Sequence, residues 1–164
     1  LSNFYYKHLG KNKTNTGLIS YKNNLDSFGE WFMQLWGESL GKIRDDGVEM
    51  GLTPSRYLGP KDQHSQLQLI LDGPKDKTIT FISIKKSISG NKFLHRSALK
   101  EKNATLSALK EKKVPYIELE IDFLDEKVLG ELFLIFELTT IILAKKMKIN
   151  PFDQPAVELI KKNL

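Results

Sequence analysis

Thr78-Ile79-Thr80-Phe81-Ile82-Ser83-Ile84 decides the fold. The stretch is rich in β-branched residues and nearly continuous in apolar character, the mark of a strand covered on both faces. Downstream, Ser97 to Lys112 reads as a helix carrying Leu99, Leu106 and Leu109. Pro115 to Ile121 then alternates Ile117, Leu119 and Ile121 against Glu118 and Glu120, the pattern of a half-exposed or edge strand. A strand, a helix and a second strand with so long a crossover predict a right-handed parallel unit. The class that follows is α/β with a small parallel sheet.

Upstream, Thr16 to Tyr21 reads as a short strand after the polar, turn-rich stretch Gly10 to Asn15. Asn23 or Asn24 is placed to cap a helix from Leu25 to Leu40, which Gly41 ends. Leu25, Phe28, Phe32 and Leu35 recur at three and four residues and define its buried face. Residues 43–59, with three glycines and Pro54, hold no sustained period and read as a long loop. A second helix is expected over Lys61 to Leu71, closed by the turn Asp72-Gly73-Pro74. The longest helix runs from Asp125 to Lys148, with acidic residues near its start and Lys145, Lys146 and Lys148 at its end, complementing the helix dipole. After Asn150-Pro151 a last short helix is expected, with Asp153 as N-cap and Pro155 in its first turn.

A chain of 164 residues suits one domain, and 40% hydrophobic with 27% charged residues is ordinary for a globular protein. With no cysteine, disulfides, thiolate nucleophiles and cysteine metal sites are excluded, which fits a reducing, cytoplasmic setting. The net charge of +5 is spread over short lysine runs without interleaved aromatics, so no nucleic-acid partner is expected. Glu131 and Glu137 interrupt the longest apolar stretch, Val128 to Ala144, so a buried amphipathic helix is a better reading than a membrane span. Leu1-Ser2-Asn3-Phe4 has neither the order of a secretory signal nor an initiator Met, which predicts a piece of something longer.

Three segments hold residues that could do chemistry. Gln34 and Glu38, four apart, share one helical face with Glu30, and Trp31 and Trp36 lie close in sequence. A glutamate desolvated by such rings could act as a general base, although spacing alone favours a solvent-facing polar stripe. His64 lies seven residues before Leu71, which in a continuous helix puts it on the inward side, with Gln68 one turn on. Taken alone it reads as a core-edge histidine, and no spacing suits a metal site. Gln154 and Lys161 fall two turns apart, on one face of the last helix, where a lysine could hold a hydroxyl, a ring oxygen or an anion. Taken alone that helix reads as a capped terminal helix with a surface lysine.

Together these segments resemble the bacterial form of glucose-6-phosphate isomerase. Gln34-Leu-Trp-Gly-Glu38-Ser39-Leu-Gly41-Lys42 is similar to the family's Glu-Ser-x-Gly-Lys segment with its upstream glutamine. Asp62-Gln63-His64-Ser65-Gln66-Leu67-Gln68-Leu69, followed by Asp72-Gly73-Pro74, is similar to its histidine-bearing segment. Phe152-Asp153-Gln154-Pro155-Ala156-Val157-Glu158-Leu159-Ile160-Lys161 is similar to its C-terminal signature, with Ala156 where glycine is usual. Lys146 stands where an apolar residue is commoner, and Lys85 to Phe93 shows nothing specific to the family.

The resemblance implies that residues 1–164 form the C-terminal sugar-isomerase (SIS) type α/β sandwich of three layers, without the N-terminal domain that binds phosphate. It also implies interconversion of glucose 6-phosphate and fructose 6-phosphate through ring opening and a cis-enediol, a step of glycolysis and gluconeogenesis. Glu38 would move the proton between C1 and C2, His64 and Lys161 would assist ring opening, and Gln34 and Gln154 would hold sugar or phosphate. His64 would serve the neighbouring subunit of a homodimer. No metal or organic cofactor is implied. The competing reading is a sugar-phosphate-binding module of SIS type without catalysis.

Overall fold

The computed structural model describes residues 1–86 and 91–163; positions 87–90, within the Lys85–Phe93 stretch, and position 164 lie outside the described residues. In chain order the elements are α1 (Ser2–Leu9), β1 (Asn15–Ser20), a 3-10 turn (Asn23–Leu25), α2 (Asp26–Leu40), β2 (Lys42–Ile43), β3 (Glu49–Met50), β4 (Thr53–Leu58), α3 (Gly59–Asp62), α4 (Leu67–Asp72), β5 (Lys77–Ile84), α5 (Lys92–Glu111), β6 (Tyr116–Ile121), α6 (Glu126–Met147) and α7 (Pro155–Lys161). Four strands form a parallel sheet in the order β4-β1-β5-β6, while β2 and β3 make a small antiparallel hairpin.

β5 is the central strand that its composition predicts, buried from Thr78 to Ile84. Because successive side chains alternate in direction, it feeds two cores. Ile82 and Ile84 join Leu18 from β1, Phe28, Phe32 and Trp36 from α2, and Phe136 and Leu143 from α6. Ile79 and Phe81 join Ile19, Ile70 from α4 and Leu109 from α5 on the opposite face. Helices thus cover both faces, and the expected layered α/β architecture holds. Asp125 caps α6 by accepting from the backbone N–H of Val128 at 2.7 Å, and Lys148 closes it in the left-handed conformation (φ 58°). Among the described residues no helix is long and apolar enough to cross a membrane.

Several local expectations are corrected. Residues 43–59 are not a loop: they contain the β2–β3 hairpin and the edge strand β4. β4 escapes the period test because it pairs with β1 alone and is nowhere fully buried, and its edge position tolerates Pro54, which has no N–H to donate. The helix expected over 61–71 is broken into α3 and α4, with Asp62 Oδ2 accepting from Leu58 N at 2.7 Å and Ser65 Oγ bonded to Asp62 Oδ1 at 3.2 Å. Such local side-chain bonds compete with helix continuation. Neither Asn23 nor Asn24 caps α2; both lie in the 3-10 turn, and Leu25 occupies the cap position with no side-chain bond. Asp153 does not cap the last helix, whose first residue, Pro155, follows Gln154. Nothing in the pattern reading anticipates α1, whose Tyr5 is buried against Trp36 with its hydroxyl on Thr80.

One ion pair couples β6 to α5. Lys102, only 5% exposed along its side chain, donates to Glu118, which also accepts from Ser83 Oγ at 2.7 Å. Burial alone would raise the Glu118 carboxyl, but the hydrogen bonds from Lys102 and Ser83 and the Lys102 charge outweigh it and hold the group below its ordinary value. A carboxyl with a depressed folded-state value stabilises the fold above its unfolded value, about 4.3, and loses that contribution as pH falls through the lower folded one. The difference in urea midpoint between the wild type and Glu118→Gln is therefore expected to be largest at pH 7 and to shrink toward pH 3. A difference independent of pH would refute the assignment.

Candidate functional site

α2 carries two of the expected site residues on its solvent-facing side. Phe28, Phe32 and Trp36 turn inward, which leaves Gln34 and Glu38, one turn apart, pointing away from the core. Gln34 Nε2 donates to Glu38 Oε1 at 3.0 Å. The second carboxylate oxygen, Oε2, accepts from Gln154 Nε2, also at 3.0 Å, across 116 positions of sequence. The loop that delivers Gln154 is shaped locally by Asn150, whose Oδ1 accepts from Phe152 N at 3.1 Å and whose Nδ2 donates to Asp153 Oδ2 at 2.9 Å. Two carboxamides thus hold one carboxylate from both sides. Each oxygen keeps a lone pair unused by these bonds, so the group can still accept a proton.

Other expected members of the site sit elsewhere. Glu38 is exposed and the tryptophans face the core or its margin, so Glu38 lies on the solvent-facing polar stripe that its spacing favours and not against an indole wall. Glu30, on the same stripe, is engaged by Arg56 Nη2 at 2.9 Å. His64 is exposed in the turn between α3 and α4, not on the inward side of a helix, because that helix is interrupted. Gln154 and Lys161 do not share a helical face in use: Gln154 precedes α7 and reaches Glu38, while Lys161 Nζ bonds Glu158 Oε1 at 2.6 Å. α7 buries none of its residues. The structure therefore brings together Gln34, Glu38 and Gln154 by hydrogen bonds, while Lys161 is bonded to Glu158 and His64 is exposed on its turn.

A cleft of about 600 Å³ opens elsewhere, beyond the carboxyl ends of β1 and β5, lined by Tyr21, Asn24, Asn91, His95 and Glu101 among others. Strand order reverses between these two strands, the usual place for a ligand crevice in an open parallel sheet. None of Gln34, Glu38, His64, Gln154 and Lys161 lines it. The carboxylate cluster is the better candidate for proton chemistry, since both oxygens of its carboxylate are held by hydrogen bonds, whereas among the described residues lining the cleft Glu101 is the one carboxylate.

No family model matches the chain. It is 38% identical over 165 residues to a probable glucose-6-phosphate isomerase of Methanococcus maripaludis, an alignment covering 93% of this chain and 36% of that protein. It is 37% identical over 183 residues to the glucose-6-phosphate isomerase of Campylobacter jejuni, covering all of this chain and 45% of that protein. The fold superposes on a hypothetical protein from Thermus thermophilus with a TM-score of 0.83 and 30% identity, over 97% of this chain and 42% of that one. It also superposes, at 23% identity, on a glucose-6-phosphate isomerase from Chlamydia trachomatis, with a TM-score of 0.79 over 91% of this chain and 33% of that one, a likeness of fold alone. The chain spans less than half the length of these relatives. Identity sustained along nearly all of this sequence shows that the chain belongs to the glucose-6-phosphate isomerase family, matching part of its members' length.

Proposed function

We propose that residues 1–164 form the C-terminal, SIS-type part of a glucose-6-phosphate isomerase, and that Glu38 is its catalytic base. The observation that carries this reading is the Gln34–Glu38–Gln154 cluster, in which one carboxylate is oriented through both oxygens by residues from two distant segments. After ring opening, Glu38 removes the proton from C2 of the open-chain aldose, and the C1 oxygen takes up a proton to complete a cis-enediol. Glu38 then returns its proton to C1 while the C2 hydroxyl gives up its own and becomes the ketone, so that one proton passes from C2 to C1 and one from the C2 oxygen to the C1 oxygen. Abstraction beside a carbonyl needs a positioned carboxylate and stabilisation of the enediolate. Gln34 and Gln154 each retain a second N–H and a carbonyl oxygen with which to hold sugar or phosphate. Lys161 assists ring opening. His64, exposed on its turn, does so in the neighbouring subunit of a homodimer.

In this reading phosphate recognition belongs to an N-terminal domain of the same enzyme. The purified 164-residue chain is accordingly expected to show little or no isomerase activity, since it spans less than half the length of its relatives. A coupled assay of fructose 6-phosphate turnover checks this; robust turnover would overturn it. A sugar-phosphate-binding module without catalysis is the second reading, favoured by the cleft at the ends of β1 and β5. It predicts sugar-phosphate binding by the complete protein with no turnover and no effect of changing Glu38.

A further inference from the structure

Lys42 is a lysine almost without solvent. Its side chain is 6% exposed, and a buried ammonium must find acceptors. It has two backbone carbonyls, each at 2.5 Å: that of Glu38, one turn back, and that of Asp153, 111 positions away. The Asp153 carboxylate stands at 3.8 Å. The first bond is ordinary for a cation just beyond a helix, where the last carbonyls lack partners and the dipole favours positive charge. Such a cap needs nothing from the far segment. The second bond does something a cap does not: it ties the end of α2 to the residue immediately before Gln154.

We propose that Lys42 is a positioning residue, a clip that holds the Asp153–Gln154 backbone against α2 so that the Gln154 carboxamide meets Glu38. The consequence for turnover rests on the isomerase reading; the clip itself does not. Apolar packing is a poor alternative anchor, because α7 buries none of its residues and Phe152 is 78% exposed. Two polar links therefore join the same two segments, one from the Lys42 ammonium and one from Gln154 to Glu38 Oε2. The ammonium donates to two carbonyl oxygens, with the Asp153 carboxylate at 3.8 Å, so it is placed to tie the segment before Gln154 to the end of α2.

Amide hydrogen exchange on the 164-residue chain tests the clip without any assay of activity. Lys42→Met keeps the buried stem and removes the donors. It should speed exchange across residues 152–161 by about tenfold or more while the amides of α2 and β5 keep their protection. Unchanged exchange at 152–161 would overturn the proposal. Should Lys42→Met fail to fold, Lys42→Gln, whose shorter amide reaches one carbonyl at most, should give an intermediate rate; full wild-type protection there would also overturn it. In the complete isomerase, Lys42→Met should lower kcat by about 10²-fold, the scale on which small misplacements act, with the shape of the pH profile unchanged. A profile whose basic limb disappears would make Lys42 a proton carrier and end the positioning role. Glu38→Gln run in parallel separates the two ideas: if that variant turns over normally, Glu38 is not the base that the clip would serve, and the exchange data alone decide the clip.

Discussion

Glu38→Gln in the complete isomerase is expected to lower kcat by about 10²- to 10⁴-fold while KM changes by a few-fold at most. General base catalysis contributes on this scale, and its loss appears in the transition state more than in substrate binding. The substitution preserves side-chain shape and removes the only group in the cluster that accepts a proton, since Gln34 and Gln154 offer amides. It also alters the hydrogen bonding. One carboxamide oxygen can accept from Gln34 or Gln154, but the amide nitrogen then faces the other donor. Glu38 is exposed, so the fold should tolerate the change, and an unaltered thermal transition is the accompanying control. Turnover near the wild-type rate would refute Glu38 as the base. A proportional rise in KM with kcat intact would instead assign the residue to uniform substrate binding.

Phe136→Ala should be the most destabilising of the single changes considered, by about 3–5 kcal/mol. Phe136 is fully buried in α6 and meets Phe28 edge-on at 5.4 Å and Phe32 at 5.6 Å between ring centres. Truncation forfeits these contacts and leaves a cavity that α2, α6 and the sheet cannot close without moving one another. Against a typical domain stability of about 5–15 kcal/mol, a loss of that size removes a large share of the total. Urea denaturation followed by tryptophan fluorescence measures it directly, because Trp36 packs on Phe32 in the same cluster. Leu134→Ala, two residues away and 53% exposed, should stay within about 0.5 kcal/mol and serves as the comparison. Equal effects of the two changes would mean that α6 is not packed as described.

The legible parts of the fold were those whose burial writes a period into the sequence. β5, covered on both faces, shows as an apolar run, and α2 shows Phe28 and Phe32 at helical spacing. The edge strand β6 shows alternation, with Glu118 and Glu120 between apolar neighbours. β4 shows nothing, because one neighbour and partial burial impose no pattern on Thr-Pro-Ser-Arg-Tyr-Leu. The break between α3 and α4 was hidden for a different reason: it depends on Asp62 turning back to Leu58 N, a choice among local hydrogen bonds that residue spacing does not record. That break is also why a histidine read as inward-facing is exposed.

The candidate site divides the same way. Gln34 and Glu38 had to meet, given a helix, because four residues bring side chains onto one face. The sequence alone thus determined an α/β chain with a central buried strand, a polar pair on one amphipathic helix, and the motifs by which it resembles its family. Tertiary structure decided which distant residue completes the pair. Gln154 reaches Glu38, Lys161 does not, and buried Lys42 joins the two segments through main-chain carbonyls. Main-chain carbonyls are the same in every residue, so no side-chain pattern marks which of them a buried ammonium will find. Only folding brings residues 38, 42 and 153 within bonding distance and makes that desolvated charge tolerable.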